Sequence, residues 1–236
     1  MSNLARSVRY QGLRGLAQYF ATLFEDAAFD RKYGTDTSRR VRLRNLNIPS
    51  PNWRLGIAYS PTRARPFRML MLHLNLPKGC VFVDFGCGKG RVLLAAAAWS
   101  FRRIVGVEFA PKLCEICRRN LLAFQARYKT SAEFVVVQAD AVEYRVADDE
   151  DVFFFFNPFV PVLAELVLQN IQVSLQSHPR RAWLILLYPD RLVHVFDAQQ
   201  YLQRIDEFAY GSALYFVYSN RQQTPETKIT NVPNRL

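Results

Sequence analysis

Twelve residues, Cys80 to Arg91, decide the fold of this chain, and they read CVFVDFGCGKGR. The apolar run from Val81 to Phe85 is typical of a strand that is buried on both faces of a parallel sheet. Glycines follow it, and residues 92–98 are good helix formers. A strand, a glycine loop and a helix in this order predict a nucleotide site. Backbone without a Cβ lets a ligand approach closely, and the helix N-terminus presents unpaired N–H groups to it.

The spacing of the glycines discriminates between kinds of nucleotide site. A dinucleotide fingerprint, G-x-G-x-x-G, that begins at Gly86 needs its third glycine at position 91, where the chain has Arg91. An NAD(P)-dependent oxidoreductase is therefore disfavoured. No G-x-x-x-x-G-K-[ST] sequence occurs, which excludes a P-loop. The pattern is instead an acid, Asp84, followed by a glycine at every second position, Gly86, Gly88 and Gly90.

Two further acids follow the next apolar runs along the chain. Glu108 ends the second run, where a carboxylate can accept hydrogen bonds from both hydroxyls of a ribose. Asp140 follows the third run and is placed to accept a hydrogen bond from the exocyclic amine of adenine. Because parallel strands present their carboxyl ends at one edge of a sheet, Asp84, Glu108 and Asp140 are expected to lie together.

In order and spacing, these residues resemble the class I S-adenosylmethionine (SAM)-dependent methyltransferases. Asp84 to Gly90 resembles motif I of that family, and Glu108 and Asp140 resemble its ribose and adenine acids. The resemblance implies SAM as the cofactor and an α/β fold, a doubly wound, seven-stranded, mostly parallel Rossmann-like sheet with its last strand antiparallel. The cofactor-binding residues that it implies are Asp84, Gly86, Cys87, Gly88, Gly90, Glu108, Asp140 and Ala141.

The resemblance covers about residues 66–220, and later apolar runs supply the remaining strands at 151–157, 183–188, 203–210 and 213–218. Just before the domain, Tyr59 and Thr62 could close over the cofactor, or could belong to a turn, since Ser-Pro between them marks one. Residues 221–236 are expected to form a C-terminal tail.

Residues 1–65 are predicted to form a basic extension or cap. Residues 1–68 hold 13 basic residues and four acids, so most of the net charge of +11 lies there. The positive charge of this arm indicates either contact with a polyanion such as a nucleic acid, or a solvated basic face.

Residues 1–24 contain no acid, and apolar residues recur at near-helical spacing. Such a helix can pack on the core, touch a membrane surface or act as a transit peptide, and packing is favoured. The apolar stripe consists of Leu4, Val8, Leu13, Leu16, Phe20 and Phe24.

Composition indicates a globular protein, which we expect to be cytoplasmic. No apolar run approaches the roughly 18 residues of a membrane span, and no secretory segment is recognisable. Four cysteines do not suggest a disulfide scaffold, and Cys114 and Cys117 are expected to be small buried residues. The three histidines are scattered along the chain, so no metal site is predicted.

The segment after the fourth predicted strand carries the prediction for the methyl acceptor. It contains Asn157, Pro158 and Phe159, where amino-methyltransferases of the resembled family hold D/N-P-P-Y/F/W. There the amide and a proline carbonyl accept the hydrogens of the amine, and the aromatic ring stacks on a planar acceptor. Asn157, Pro158 and Phe159 are therefore the predicted catalytic residues. The second proline is missing and the aromatic residue arrives one position early, which leaves a lysine amine open as the acceptor.

These observations predict a SAM-dependent methyltransferase that transfers a methyl group to a nitrogen of a protein or a nucleic acid. The alternative is a nucleic-acid-binding module with a vestigial or sensory SAM pocket, which the basic arm would also serve. Residues 29–37 and 157–159 resemble segments of an uncharacterised bacterial branch of these methyltransferases.

Overall fold

Seven strands form one sheet in the order β3-β2-β1-β4-β5-β7-β6, in a computed structural model that describes residues 3–42 and 46–220. Strands β1 to β5 are parallel, and β7 runs antiparallel to both β5 and β6. The predicted doubly wound sheet with an antiparallel last strand is therefore confirmed. The strands are β1 Val81–Phe85, β2 Arg103–Glu108, β3 Glu133–Gln138, β4 Val152–Phe155, β5 Trp183–Leu187, β6 Leu202–Tyr210 and β7 Ala213–Asn220.

Helices cover both faces of the sheet because the side chains of each central strand alternate between the two faces. Phe82 and Phe154 pack on the face covered by α2, α3 and α4, whereas Phe153 and Phe155 pack on the face covered by α5 and α6. All four rings are fully buried. The helices are α1 Asn3–Tyr33, α2 Ala64–Leu74, α3 Arg91–Ala96, α4 Pro111–Gln125, α5 Pro161–Ser177 and α6 Val193–Asp197, with short 3-10 helices at Pro51–Leu55 and Pro189–Arg191.

The N-terminal helix α1 is longer than predicted, with a kink at Gln11 and Gly12, and it packs through a different face. The side chains of Leu13 and Phe24 are 86% and 81% exposed, and most of the predicted apolar stripe is exposed with them. Helix α1 therefore packs on α2 and β6, but it does so mainly through residues outside that stripe. Phe29, outside the stripe, is a buried aromatic residue of this helix.

Some predictions concern segments that the structure describes only in part. The alternating arginine run at residues 39–44 forms one isolated antiparallel bridge, from Val41 to Tyr59, and residues 43–45 lie outside the described part. The predicted tail, residues 221–236, also lies outside it, and the division at residues 65 and 66 stays a prediction. Within the described residues, no helix has the length and apolar character needed to cross a membrane.

A buried arginine anchors α1 to the end of the glycine loop. Arg91 Nη1 lies 3.2 Å from Asp26 Oδ1, and its guanidinium carbon lies 4.5 Å from the centre of the Phe29 ring. Its Nε and Nη2 atoms donate hydrogen bonds of 2.8 Å to the hydroxyls of Thr37 and Ser38. The residue that breaks the dinucleotide fingerprint thus connects the N-terminal extension to the core.

The next link between the extension and the loop involves Lys89, whose side chain is also buried. Its Nζ atom lies 3.0 Å from Asp36 Oδ1. Asn120 in α4 joins the same pair, because its amide nitrogen donates to the carbonyls of both Asp36 and Lys89, and its oxygen accepts from the Asp36 N–H. The glycine loop, α4 and the extension therefore share one polar network.

We expect Arg91→Met to destabilise the protein by about 3–5 kcal/mol, because it leaves the Asp26 carboxylate buried without its closest cation. Urea unfolding measures this loss. The matched control is Arg204→Met, which removes an exposed ion pair with Asp197 and should cost less than about 1 kcal/mol. Equal losses for the two variants would contradict the anchoring role.

Candidate active site

The glycine loop after β1 adopts a backbone that only glycine accepts without strain. Gly86, Gly88 and Gly90 have φ angles of 76°, 55° and 84°. A Cβ on Gly86 would lie 2.7 Å from Cβ of Pro158, and a Cβ on Gly88 would overlap the ring of Tyr59. The loop is therefore packed closely between the segment after β4 and the N-terminal extension.

Two of the predicted acids lie side by side at the carboxyl ends of β1 and β2. Burial raises the pKa of Asp84 well above its ordinary value, and the negative charge of Glu108 raises it further. Burial also raises the pKa of Glu108, to about 7, against the effect of hydrogen bonds from backbone N–H groups. Glu108 Oε2 accepts from Gly88 N at 3.0 Å and Oε1 accepts from Ala110 N at 2.9 Å. Burial therefore favours the neutral form of both carboxyl groups.

The third acid, Asp140, lies beyond β3 and is bonded to the N-terminal extension. Its Oδ2 atom accepts hydrogen bonds from Ser50 Oγ at 2.5 Å and from Asn52 Nδ2 at 2.9 Å. Its Oδ1 atom accepts from Val142 N at 3.2 Å. Asp140 lines a cavity together with Glu108, but its carboxylate is already hydrogen-bonded on both oxygens.

Two cavities open at this edge of the sheet and meet at Gly86 and Glu108, which line both. The first is a narrow slot of about 40 Å³ between Glu108 and Asp140, with Asn52 and Phe159 in its wall. The second is about 290 Å³ and is lined by polar, aromatic and charged side chains. These include Tyr59, Glu108, Phe156, Asn157 and Arg191.

Asn157 occupies a strained position at the second cavity. Its φ angle is 42°, in the left-handed region that Asn tolerates better than most residues. Its Nδ2 atom donates to the carbonyl of Tyr188 at 3.1 Å, which fixes the orientation of the amide. Its Oδ1 atom is buried and has no hydrogen-bond partner. Asn157 therefore lines the second cavity and carries one buried acceptor without a partner.

Some of the predicted residues line the cavities, whereas Asp84, Gly88 and Gly90 line neither. Gly86 and Pro158 line both, and Ala141 lines the first. Phe159 also lies at the first cavity, away from Asn157, so its ring does not border the second. Thr62 is buried and lines neither cavity, and the Cys87 side chain packs into the core against Gly106.

Several residues of the site were missed by the sequence reasoning. Asn52 and Arg191 lie in segments without periodic pattern, and nothing in the sequence distinguishes them from other loop residues. Phe156 and Phe109 had a usable signal, because each adjoins a predicted strand-end residue. Among the residues that the structure describes, no group of histidines, cysteines or acids forms a metal site.

Comparison with known proteins now identifies the class. Residues 83–180 match the family model described as Methyltransferase domain. The sheet order agrees with the fold that the resemblance to class I, SAM-dependent methyltransferases implies. These findings support an enzyme that uses SAM as its cofactor. The sequence resemblance is confirmed at this level. No curated protein matches the chain.

Two solved structures share the fold. An RNA methyltransferase from Salinibacter ruber, in complex with S-adenosyl-L-homocysteine, is 19% identical over 70% of this chain and 97% of that chain, with a TM-score of 0.51. A ribosomal protein L11 methylase from Lactobacillus delbrueckii subsp. bulgaricus is 12% identical over 69% of this chain and 81% of that chain, also with a TM-score of 0.51. At these identities the similarity shows the fold.

The residues at the two cavities fit this cofactor. SAM supplies a methyl group on a positively charged sulfur, attached to a flat adenosine and a polar amino-acid end. A narrow slot adjoins a larger polar cavity here, and the buried acid Glu108 lies where they meet. The Cβ positions of Gly86 and Gly88 face Pro158 and Tyr59, so the loop backbone lies directly against both walls.

We expect Gly88→Ala to destabilise the protein more than Gly79→Ala does. Both glycines have positive φ, which costs another residue about 1–2 kcal/mol, but a Cβ on Gly79 meets open space. At Gly88 the overlap with the Tyr59 ring should add about 1–3 kcal/mol. Urea unfolding of both variants measures the difference, and Tyr59→Ala should recover it in the Gly88→Ala background. Similar losses at the two glycines would show that Tyr59 is not held against the loop.

Proposed function

We propose that this enzyme methylates a nitrogen atom of a nucleic acid, and that Asn157 orients that nitrogen. The observation that carries this proposal is the buried, unpartnered Oδ1 atom of Asn157 at the second cavity. A buried acceptor without a partner costs about 1–3 kcal/mol, so its presence calls for an explanation. An N–H group of the methyl acceptor would supply the missing donor.

The geometry of the amide supports this role. Because Nδ2 is bonded to the Tyr188 carbonyl, Oδ1 is the atom left to face a substrate. An amine that donates a hydrogen to Oδ1 has its lone pair directed elsewhere, and methyl transfer needs the lone pair aimed at the methyl carbon. The carbonyl of Pro158 already accepts one hydrogen bond, from Ile57 N at 3.2 Å, so we assign the main orienting role to Asn157.

The aromatic wall that we propose for the acceptor differs from the predicted one. Phe159 lies at the first cavity, whereas Phe156 and Tyr59 lie at the second, on the segments after β4 and before α2. Two rings beside one cavity favour a flat acceptor such as a nucleobase. We therefore keep Asn157 and Pro158 as acceptor-site residues and propose Phe156 and Tyr59 in place of Phe159.

The cofactor would occupy the cavities beside the glycine loop and the strand-end acids. We propose that Glu108 accepts hydrogen bonds from the ribose, since it lies where the two cavities meet. Asp84 is buried beside Glu108. We leave Thr62 out of the proposed cofactor-binding residues, and we propose that Cys87 contributes only its backbone. The proposed residues are Asp84, Gly86, Cys87, Gly88, Gly90, Glu108, Asp140, Ala141 and Tyr59.

We expect Asn157→Gly to lower the turnover number by about 10²–10³ while leaving the affinity for S-adenosylhomocysteine unchanged. Glycine keeps the positive φ angle without strain, so this variant removes only the amide. Transfer of labelled methyl groups from SAM into cellular RNA, DNA and protein fractions measures turnover, and calorimetry measures the affinity.

The matched control is Asn75→Gly, because Asn75 also has positive φ, 44°, but lies at the end of α2 away from both cavities. This variant should keep full activity. Undiminished transfer by Asn157→Gly would overturn the role of Asn157, and transfer into protein alone would overturn the nucleic-acid acceptor.

Four arginines, one at the second cavity and three in or next to segments that contribute to the cavity walls, support a polyanionic acceptor. Arg191 lines the second cavity, and Arg54 follows Asn52, its guanidinium 5.3 Å from the Trp53 ring. Arg40 and Arg42 flank Val41, which pairs with Tyr59. All four are exposed, and within the described part of the chain none forms an ion pair. We call Arg40, Arg42, Arg54 and Arg191 the rim arginines.

Charge favours a nucleic acid over a lysine-bearing protein at this rim. Of the acids near it, Asp36 is paired with Lys89 and Asp190 with Arg6, while Glu108 and Asp140 are buried. A lysine-rich segment would therefore be repelled by the rim arginines, whereas phosphates would be attracted. A partly exposed Trp53 beside Arg54 also suits the stacking of unpaired bases.

We expect a variant with Ser at positions 40, 54 and 191 to bind single-stranded RNA less tightly and with a weaker dependence on salt. Each lost phosphate contact should reduce the slope of log K against log salt by about 0.7, so three should reduce it by about 2. Fluorescence anisotropy of a labelled oligonucleotide across a salt series measures the slope.

The matched control removes three exposed cations, Lys78, Lys129 and Arg181, which precede β1, β3 and β5 at the opposite edge of the sheet. Its salt slope should equal that of the wild type. An equal reduction in both triple variants would mean that binding depends on total charge and not on the rim. Absence of binding by the wild type at low salt would contradict a nucleic-acid acceptor.

A further inference from the structure

The carboxylate predicted to meet the adenine of the cofactor is largely occupied by the protein itself. Asp140 Oδ2 accepts from both Ser50 Oγ and Asn52 Nδ2, and Oδ1 accepts from Val142 N. A carboxylate has about four acceptor sites, two on each oxygen, so Oδ2 has none left. Direct recognition of an adenine amine by Asp140 would have to use the one remaining site on Oδ1.

Asn52, in contrast, keeps hydrogen-bonding capacity at the same cavity. It lines the first cavity together with Ala139 and Asp140. One hydrogen of its amide nitrogen is used by Asp140, which leaves the second hydrogen and the Oδ1 atom. An amide with one free donor and one free acceptor matches the edge of adenine, which offers an amine hydrogen beside a ring nitrogen.

We infer that Asn52 recognises the adenine of SAM, and that Asp140 and Ser50 are positioning residues that hold the Asn52 amide at the first cavity. This inference rests on the proposed cofactor site. It assigns adenine recognition to the N-terminal extension, outside the segment of residues 83–180 that matches the methyltransferase family model.

The local structure fixes Asn52 in place. Ser50 Oγ accepts from Asn52 N at 3.1 Å and so caps the short helix Pro51–Leu55 while donating to Asp140. At the other end of that helix, Leu55 O accepts from Val160 N at 3.1 Å. The segment is thus held both beyond β3 and beyond β4, on either side of the first cavity.

The inference is tested with two ligands that differ only at the adenine edge. S-adenosylhomocysteine carries the exocyclic amine, and S-inosylhomocysteine carries an oxygen in its place. The wild type should bind the first more tightly by about tenfold or more, as expected for a bidentate contact with the base. Asn52→Ala should bring the ratio of the two dissociation constants close to one, mainly by weakening S-adenosylhomocysteine. Calorimetry with the purified full chain measures both constants.

Three variants separate recognition from positioning. Asn47→Ala removes the same side chain from an exposed site on the same extension and should leave the ratio unchanged. Asp140→Ala should lower the ratio less than Asn52→Ala does, because it frees the amide without removing it. Ser50→Ala should lower it least, because Asp140 still accepts from Asn52.

Each outcome bears on a distinct claim. If Asn52→Ala keeps the wild-type ratio while Asp140→Ala abolishes it, Asp140 recognises adenine directly and the inference is wrong. It is equally wrong if Asn52→Ala weakens both ligands by the same factor, which is the signature of a merely structural residue. Failure of the wild type to bind S-adenosylhomocysteine would instead overturn the proposed cofactor site, and the inference with it.

Discussion

A buried guanidinium controls how the N-terminal extension meets the glycine loop. The charge of Arg91 is removed from water, and it is stable there only because Asp26, two hydroxyls and the Phe29 ring surround it. Thr37, one of those partners, uses its carbonyl to accept a 2.7 Å hydrogen bond from Tyr59. Tyr59 in turn lies against Gly88. The ion pair between Arg91 and Asp26 is therefore connected, through Thr37, to the Tyr59 ring against which the glycine loop packs.

The extension is consequently part of the site and not an accessory to it. Asn52 borders the first cavity, residues 57–60 border the second, and Ser50 is bonded to the acid after β3. In a doubly wound sheet, the strands supply the edge at which a ligand binds, while loops supply its specificity. In this protein, the loop that covers the site belongs to the N-terminal extension, which precedes β1 in the sequence. The common fold thus accounts for the cofactor class, and the extension for the features particular to this chain.

The sequence was informative where periodicity and the geometry of parallel sheets constrain the chain. Strand β1, its loop and the acids Asp84, Glu108 and Asp140 followed from these rules. The partner of Asp140 did not, because Asn52 lies 88 residues earlier in a loop without periodic pattern. The stripe on α1 misled because spacing identifies a helical face but not what covers it. Phe159 lies at the first cavity and Asn157 at the second, a separation that the sequence could not indicate.

Strain at the ends of two neighbouring strands links the acceptor cavity to the extension. Asn157 after β4 and Tyr188 after β5 both have positive φ, and a hydrogen bond from the Asn157 amide to the Tyr188 carbonyl joins them. Such backbone persists only when its surroundings enforce it. Arg6 of α1 does so at this end, since it lies over the Tyr188 ring and pairs with Asp190. Helix α1 therefore contacts the glycine loop through Arg91 and the end of β5 through Arg6, so a partner that displaces α1 would loosen the walls of both proposed sites together.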